Sequence, residues 1–340
     1  MAIDNDPIFT LDIIGAEGDV GATNCILRKN KTNMLGRGSL DYIVSLRDSI
    51  LTGRRFKIPG MWDHSWSITK GPIWTPKEIS SNEKLETWLM PEYFRPETSA
   101  PSLCIEATNY IDALSMPLSP KGFEQINETS MPAFNSPSTL FMRQFEGLGF
   151  DGSRTVMRGM ANDMWNVGEE DFMIIVVIQT DGCEGDEPVL TKKNTSHPYL
   201  SVDFTDSNKD IFFTTGGQEI SFENAAMAGR LIISCGRKNG TAILYSNGEE
   251  SVLPTSPNTD DVSVTKKPYL GTDSGLGAAH FNGTIFEVIF INEAKTGDTL
   301  VTTGMREKIE GYLAHKYLMQ EYLVSEHPYK NEPPRASVQE

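Results

Sequence analysis

One stretch limits the fold more than any other: residues 284–291, TIFEVIFI, β-branched or aromatic at every position but Glu287. A strand of that composition cannot show either face to water, so it must be covered on both sides. It therefore belongs in the middle layer of a stack. A helix follows that can supply one of the covers. Across residues 305–323, Ile309, Leu313 and Tyr317 recur at i, i+4 and i+8, with Tyr312 and Lys316 flanking them and Gly304 placed at the cap. His327-Pro328 and Pro333-Pro334 then stop regular structure.

A second wholly apolar run lies at 172–178, inside a strand read at 171–179. Shorter strands are expected at 85–89, 102–107, 199–204, 211–215, 230–235, 241–246 and 267–271, with turn residues between them. Residues 199–204 alternate apolar and polar, and Asn247-Gly248 is a strong hairpin signal after 241–246. The stretch 95–140, rich in Pro, Ser and Asn, reads as long loops with short strands. No internal repeat is visible. This pattern predicts a mainly β chain: an antiparallel jelly-roll β-sandwich with one C-terminal helix.

Residues 1–83 read differently, as a small mixed region ahead of a sandwich at 84–330 and a polar tail at 331–340. The formal net charge is −16, yet residues 1–80 hold 10 Lys/Arg and 9 Asp/Glu, and the rest 20 and 37. All the net acidity sits in the larger part, which argues against general nucleic-acid binding. Within the first part, Arg28, Lys29, Lys31, Arg37, Arg47, Arg54, Arg55 and Lys57 face only Asp41 and Asp48. That basic group reads as a docking surface for an acidic partner or as a solvated face. Trp62, Trp66 and Trp74 follow among Gly and Pro. They could stack on a sugar, anchor an interface, or plug the linker against its neighbour. No apolar run is long enough for a transmembrane helix, and no secretory leader is evident. Cys25, Cys104, Cys183 and Cys235 form no CxxC pair and read as buried thiols in a reducing compartment.

The sequence contains no evident catalytic constellation. A glycosidase of sandwich type needs two carboxylates on one strand face. The nearest pattern, Glu184-Gly185-Asp186, meets Pro188 and reads as a loop, while Asp203 and Asp206 would face opposite ways. The familiar phosphate-loop, nucleophile-elbow, dinucleotide and zinc-protease motifs are absent. His64, His197, His280, His315 and His327 have no ligand spacing, and His315 is expected at a helix flank or in solvent. Two acidic loops offer calcium chemistry or plain solvation: Asp181, Glu184, Asp186 and Glu187 in one, and Asp203, Asp206, Asn208 and Asp210 in the other. No other cofactor is expected.

The C-terminal residues carry a resemblance. Phe281–Gly283, Ile285, Glu287, Val288 and Asn292, then residues 308–316 (KIEGYLAHK) and 327–329 (HPY), resemble the end of laminin-G-like domains in the concanavalin A-like lectin/glucanase superfamily. Such domains are found in bacterial surface proteins and tailed-phage virion proteins. The resemblance also covers Phe150-Asp151-Gly152-Ser153 and, loosely, residues 85–89. It implies a non-enzymatic virion protein, a head decoration or a tail or baseplate accessory. Residues 1–83 would anchor it to capsid or tail subunits, in a homo-oligomeric assembly, and the sandwich would be displayed towards surface glycans. The alternatives are a host-receptor lectin and a diverged glycan depolymerase.

Overall fold

The computed structural model describes residues 74–76, 79, 85–90, 94–96, 104–107, 123–125, 133–135, 147–180, 183–192, 198–204, 209–223, 225, 230–251, 257–258, 260–273, 279–292 and 303–335. In chain order the strands are β1 (Leu85–Leu89), β2 (Phe94–Pro96), β3 (Cys104–Ala107), β4 (Phe123–Gln125), β5 (Ala133–Asn135), β6 (Gly147–Asp151), β7 (Met157–Gly159), β8 (Phe172–Thr180) and β9 (Cys183–Thr191). They continue with β10 (Tyr199–Phe204), β11 (Lys209–Thr215), β12 (Gln218–Phe222), β13 (Arg230–Lys238), β14 (Thr241–Ser246), β15 (Glu249–Glu250), β16 (Tyr269–Leu270) and β17 (Asn282–Asn292). The α-helix among the described residues is α1, Thr303–Tyr317, and no described helix is long and apolar enough to cross a membrane.

Two antiparallel sheets form the sandwich. One runs β15-β14-β13-β8-β17-β6-β5, with β1 also paired to β17; the other runs β12-β11-β10-β9-β16-β7-β4-β3-β2. β17 is central. It pairs along its length with β8, and its other edge is shared by β6 at Asn282–Ile285 and β1 at Val288–Ile291. The apolar runs are continuous because both faces of this sheet are covered. Phe172, Ile174, Val176 and Ile178 enter the core between the sheets, while Met173, Ile175 and Val177 enter a second core beneath the helix. A bulge between Ile285 and Glu287 breaks the alternation of β17, and Phe286 packs in the helix-side core.

Helix α1 closes that second core with Ile309, Tyr312, Leu313, Ala314 and Tyr317. It ends earlier than the expected residue 323. Leu318 turns to φ +58, the left-handed conformation that terminates helices, and a short 3-10 turn takes Gln320–Tyr322. His315 is also corrected: it is fully buried, with Nε2 bonded to the Tyr329 carbonyl at 2.8 Å. The neighbouring Gly311 lets the tail approach, since a Cβ there would lie 2.4 Å from that of Tyr329.

Buried charges join the layers. Glu287 is fully buried and accepts from Trp88 Nε1 (2.7 Å), Lys316 Nζ (2.6 Å) and the Tyr317 hydroxyl (2.8 Å). Glu310, also fully buried, accepts from Ser234 Oγ (2.7 Å) and Arg306 Nη1 (2.5 Å) and meets His327 Nε2 at 3.2 Å. Every partner named here is charged or donates a hydrogen bond, as buried carboxylates require. The first core is knitted by a stack: Trp165 lies parallel to Phe290 at 5.2 Å, and Phe290 to Phe172 at 5.8 Å.

Candidate functional site

The outer face of the nine-stranded sheet gathers side chains suited to a ligand. Its inner face is set by Leu190, Leu200, Val202, Ile211, Phe213, Leu270, Met157 and Phe123, all in the core between the sheets. Alternation then turns Thr191, Tyr199, Ser201, Phe212, Thr214, Tyr269, Arg158 and Glu124 outward. Register arranges them in rows. Thr191 is paired with Tyr199 on one side and with Tyr269 on the other. Thr214 extends this row beyond Tyr199, and Arg158 then Glu124 extend it beyond Tyr269. In the next row Phe212 is opposite Ser201.

The two tyrosines are therefore two strands apart, about 10 Å, with a small residue between them. Both rings and Phe212 are partly exposed, whereas Thr191 and Ser201 are fully buried. The hydroxyls of Thr191 and Ser201 have no hydrogen-bond partner among the described residues. Past Tyr269 the row becomes charged. Glu124 Oε1 accepts from Arg158 Nη2 (3.2 Å) and Lys267 Nζ (3.3 Å). All three side chains are about a third exposed, so these pairs contribute little to stability.

A second concavity opens between β12 and β15, an open cleft of about 370 Å³ lined by Ser221, Phe222, Glu223, Glu249, Glu250 and Ser251. The Tyr245 hydroxyl donates to Glu250 there, and burial, with that carboxylate, raises the phenol well above its ordinary range. Phe222, partly buried, lines the cleft and also packs against the core.

The expected site residues are placed as follows. Arg28, Lys29, Lys31, Arg37, Arg54, Arg55, Lys57, Trp62, Trp66 and Asp181 lie outside the described residues, as do Asp206 and Asn208. Trp74 is 5% exposed and packs in the helix-side core, so its ring offers no stacking face. The first acidic loop is corrected to a strand, since Glu184, Asp186 and Glu187 belong to β9. Gly185 at φ +85 and Pro188 are accommodated where the β9–β10 register shifts, which is how a strand absorbs two breakers. Glu187 Oε2 accepts the Asn282 amide at 2.9 Å, and the Gly185 amide donates to Asp203 at 3.1 Å. Among the described residues no three His, Cys, Asp or Glu gather as a metal-binding group.

The tyrosine row was missed from sequence. The alternation in residues 199–204 places Tyr199, Ser201 and Asp203 on one face, a usable signal. Nothing local marks Tyr269, whose strand has only two residues.

No family model matches this chain, and no curated protein matches it. Among solved structures it is similar to domain 4 of AbnA, a GH43 extracellular arabinanase from Geobacillus stearothermophilus, in complex with arabinotriose. That match has a TM-score of 0.41 and 11% identity, over 65% of this chain and 96% of that one. It is also similar to domains LG4-5 of the mouse laminin alpha1 chain, with a TM-score of 0.34 and 14% identity, over 42% of this chain and 41% of that one. A third is the CBM40 of the Ruminococcus gnavus IT-sialidase, with a TM-score of 0.31 and 14% identity, over 42% and 89%. The chain thus spans under half of the laminin structure. Similarity at this level says nothing about what this chain binds.

Proposed function

We propose that this protein is a non-enzymatic carbohydrate-binding module that lays a saccharide across the outer face of its nine-stranded sheet. One observation carries the reading: Tyr199 and Tyr269 flank the small Thr191 in a single row. Aromatic faces take up the C–H faces of sugar rings, and Tyr adds a polar handle at its edge. A separation of about 10 Å suits rings two units apart along an extended glycan. Phe212 and Thr214 add a further apolar face and a hydroxyl beside Tyr199.

Binding rather than hydrolysis fits the acids of this face. Glu124, which continues the tyrosine row, is tied to Arg158 and Lys267 rather than left free as an acid or base. The setting we propose is a tailed-phage virion, with residues 1–83 as the anchor to capsid or tail subunits. That part rests on the sequence resemblance alone, and co-purification with particles tests it.

The test of binding is a glycan array followed by titration calorimetry on the full chain. Tyr199→Ala with Tyr269→Ala should weaken the best glycan at least tenfold, about 1.4 kcal/mol, at unchanged circular dichroism. Incubation with that glycan should release no new reducing ends. Equal binding by the folded double variant, or steady release of oligosaccharide, overturns the proposal.

A further inference from the structure

We propose that the saccharide is anionic, with a carboxylate held by Arg158 and Lys267 while an adjoining ring lies on Tyr269. This rests on the binding face proposed above and names its ligand class.

Arg158 is directly opposite Tyr269 in the β16–β7 register, so the guanidinium and the phenol ring are lateral neighbours on one face. Lys267 precedes Tyr269 by two residues and reaches the same carboxylate as Arg158. Two cations therefore share one acid, Glu124, and the described cluster keeps one positive charge unneutralised.

Two features make this more than a solvated surface. The chain carries a net charge of −16, so a positive spot beside the aromatic row stands against the field of the whole molecule. Arg158 also has spare bonding capacity at its exposed end, where only Nη2 is used on Glu124. A guanidinium suits carboxylate recognition because its planar fork donates two parallel hydrogen bonds. An incoming carboxylate would compete with Glu124 for both cations. The exposed geometry makes that exchange cheap, since the existing pairs are weak.

The arrangement has a direction. Reading along the row from Thr214 to Glu124, a neutral sugar ring meets Tyr199, a second meets Tyr269, and the acidic group falls at Arg158. Repulsion by the rest of the molecule favours short or sparsely charged acidic chains over dense polyanions.

The test uses the full chain and matched ligands: oligogalacturonate, oligoalginate, hyaluronan oligosaccharides and sialyllactose, each beside its methyl-esterified or carboxyl-reduced counterpart. At least one acidic form should bind tenfold or more tighter than its neutral partner. Arg158→Gln and Lys267→Met should each weaken the acidic form by a larger factor than its neutral partner and so remove most of that difference, while Tyr199→Ala weakens both forms. Equal binding of acidic and neutral partners, or equal losses for both in Arg158→Gln, overturns the anionic assignment and leaves the carbohydrate reading standing. Binding that fails for every glycan, acidic and neutral, overturns both.

Discussion

At the scale of single residues, Asp151 shows how one side chain orders a loop. Its Oδ1 accepts from the amides of Ser153, Arg154 and Thr155, each at 3.0 Å, and from the Thr155 hydroxyl at 2.8 Å. Burial alone would raise its pKa, but these donors outweigh burial and hold it well below the ordinary carboxylate range. A depressed carboxylate stabilises the fold fully above its unfolded pKa of about 3.9, and that contribution is lost as pH falls towards the folded value. Urea denaturation below pH 4 should therefore show a progressive loss of stability, which Asp151→Asn should blunt while lowering stability at pH 7. A pH profile that is the same in both proteins would remove Asp151 from the account. The same loop carries the Phe150–Ser153 residues singled out in the sequence, so a short local pattern was legible there. The aromatic row was not, because Arg158, Thr191, Tyr199 and Tyr269 sit on four strands. Only long-range register brings them together.

At the scale of elements, composition made the central layer legible and breakers hid its neighbour. Residues 199–204 and 241–246 coincide with β10 and β14, and Asn247 and Gly248 both take positive φ in a two-residue turn. The acidic stretch of β9 looks like a loop in sequence because Gly185 and Pro188 are poor strand formers, and tertiary pairing with β10 and β16 overrides them. The helix was legible by its period, although its end was not: nothing in the sequence marks Leu318 as a left-handed residue. The joint between β17, β1 and α1 is Glu287. Removing that carboxylate takes a buried acceptor away from Lys316, Trp88 and Tyr317. Glu287→Ala should cost about 3–5 kcal/mol, measured by chemical denaturation. A cost under about 1 kcal/mol would mean the helix docks through apolar contact alone.

At the scale of the whole molecule, the two ends of the described fold meet. The Trp74 amide donates to the Pro334 carbonyl at 2.9 Å, and Trp74 is part of the helix-side core. The chain thus enters and leaves on the side of α1, across the sandwich from the tyrosine row. Removing residues 331–340 should uncover Trp74 and cost about 2 kcal/mol, roughly 4–8 °C in Tm. Glycan binding should stay unchanged, and scanning calorimetry beside glycan titration checks both halves.

The place of β1 carries a consequence for synthesis. Its Trp88 bonds Glu287, 199 residues later, and its strand partner is β17. During translation β8, buried on both faces in the finished protein, gains β13 on one edge first, while the strand on its other edge, β17, emerges more than a hundred residues after it. The nascent chain therefore carries an apolar ribbon open along that edge until β17 is made, the state in which slow, long-range β folds aggregate. Escorting that ribbon is a task for chaperones, and yield in a foreign host should follow their supply more than any surface substitution.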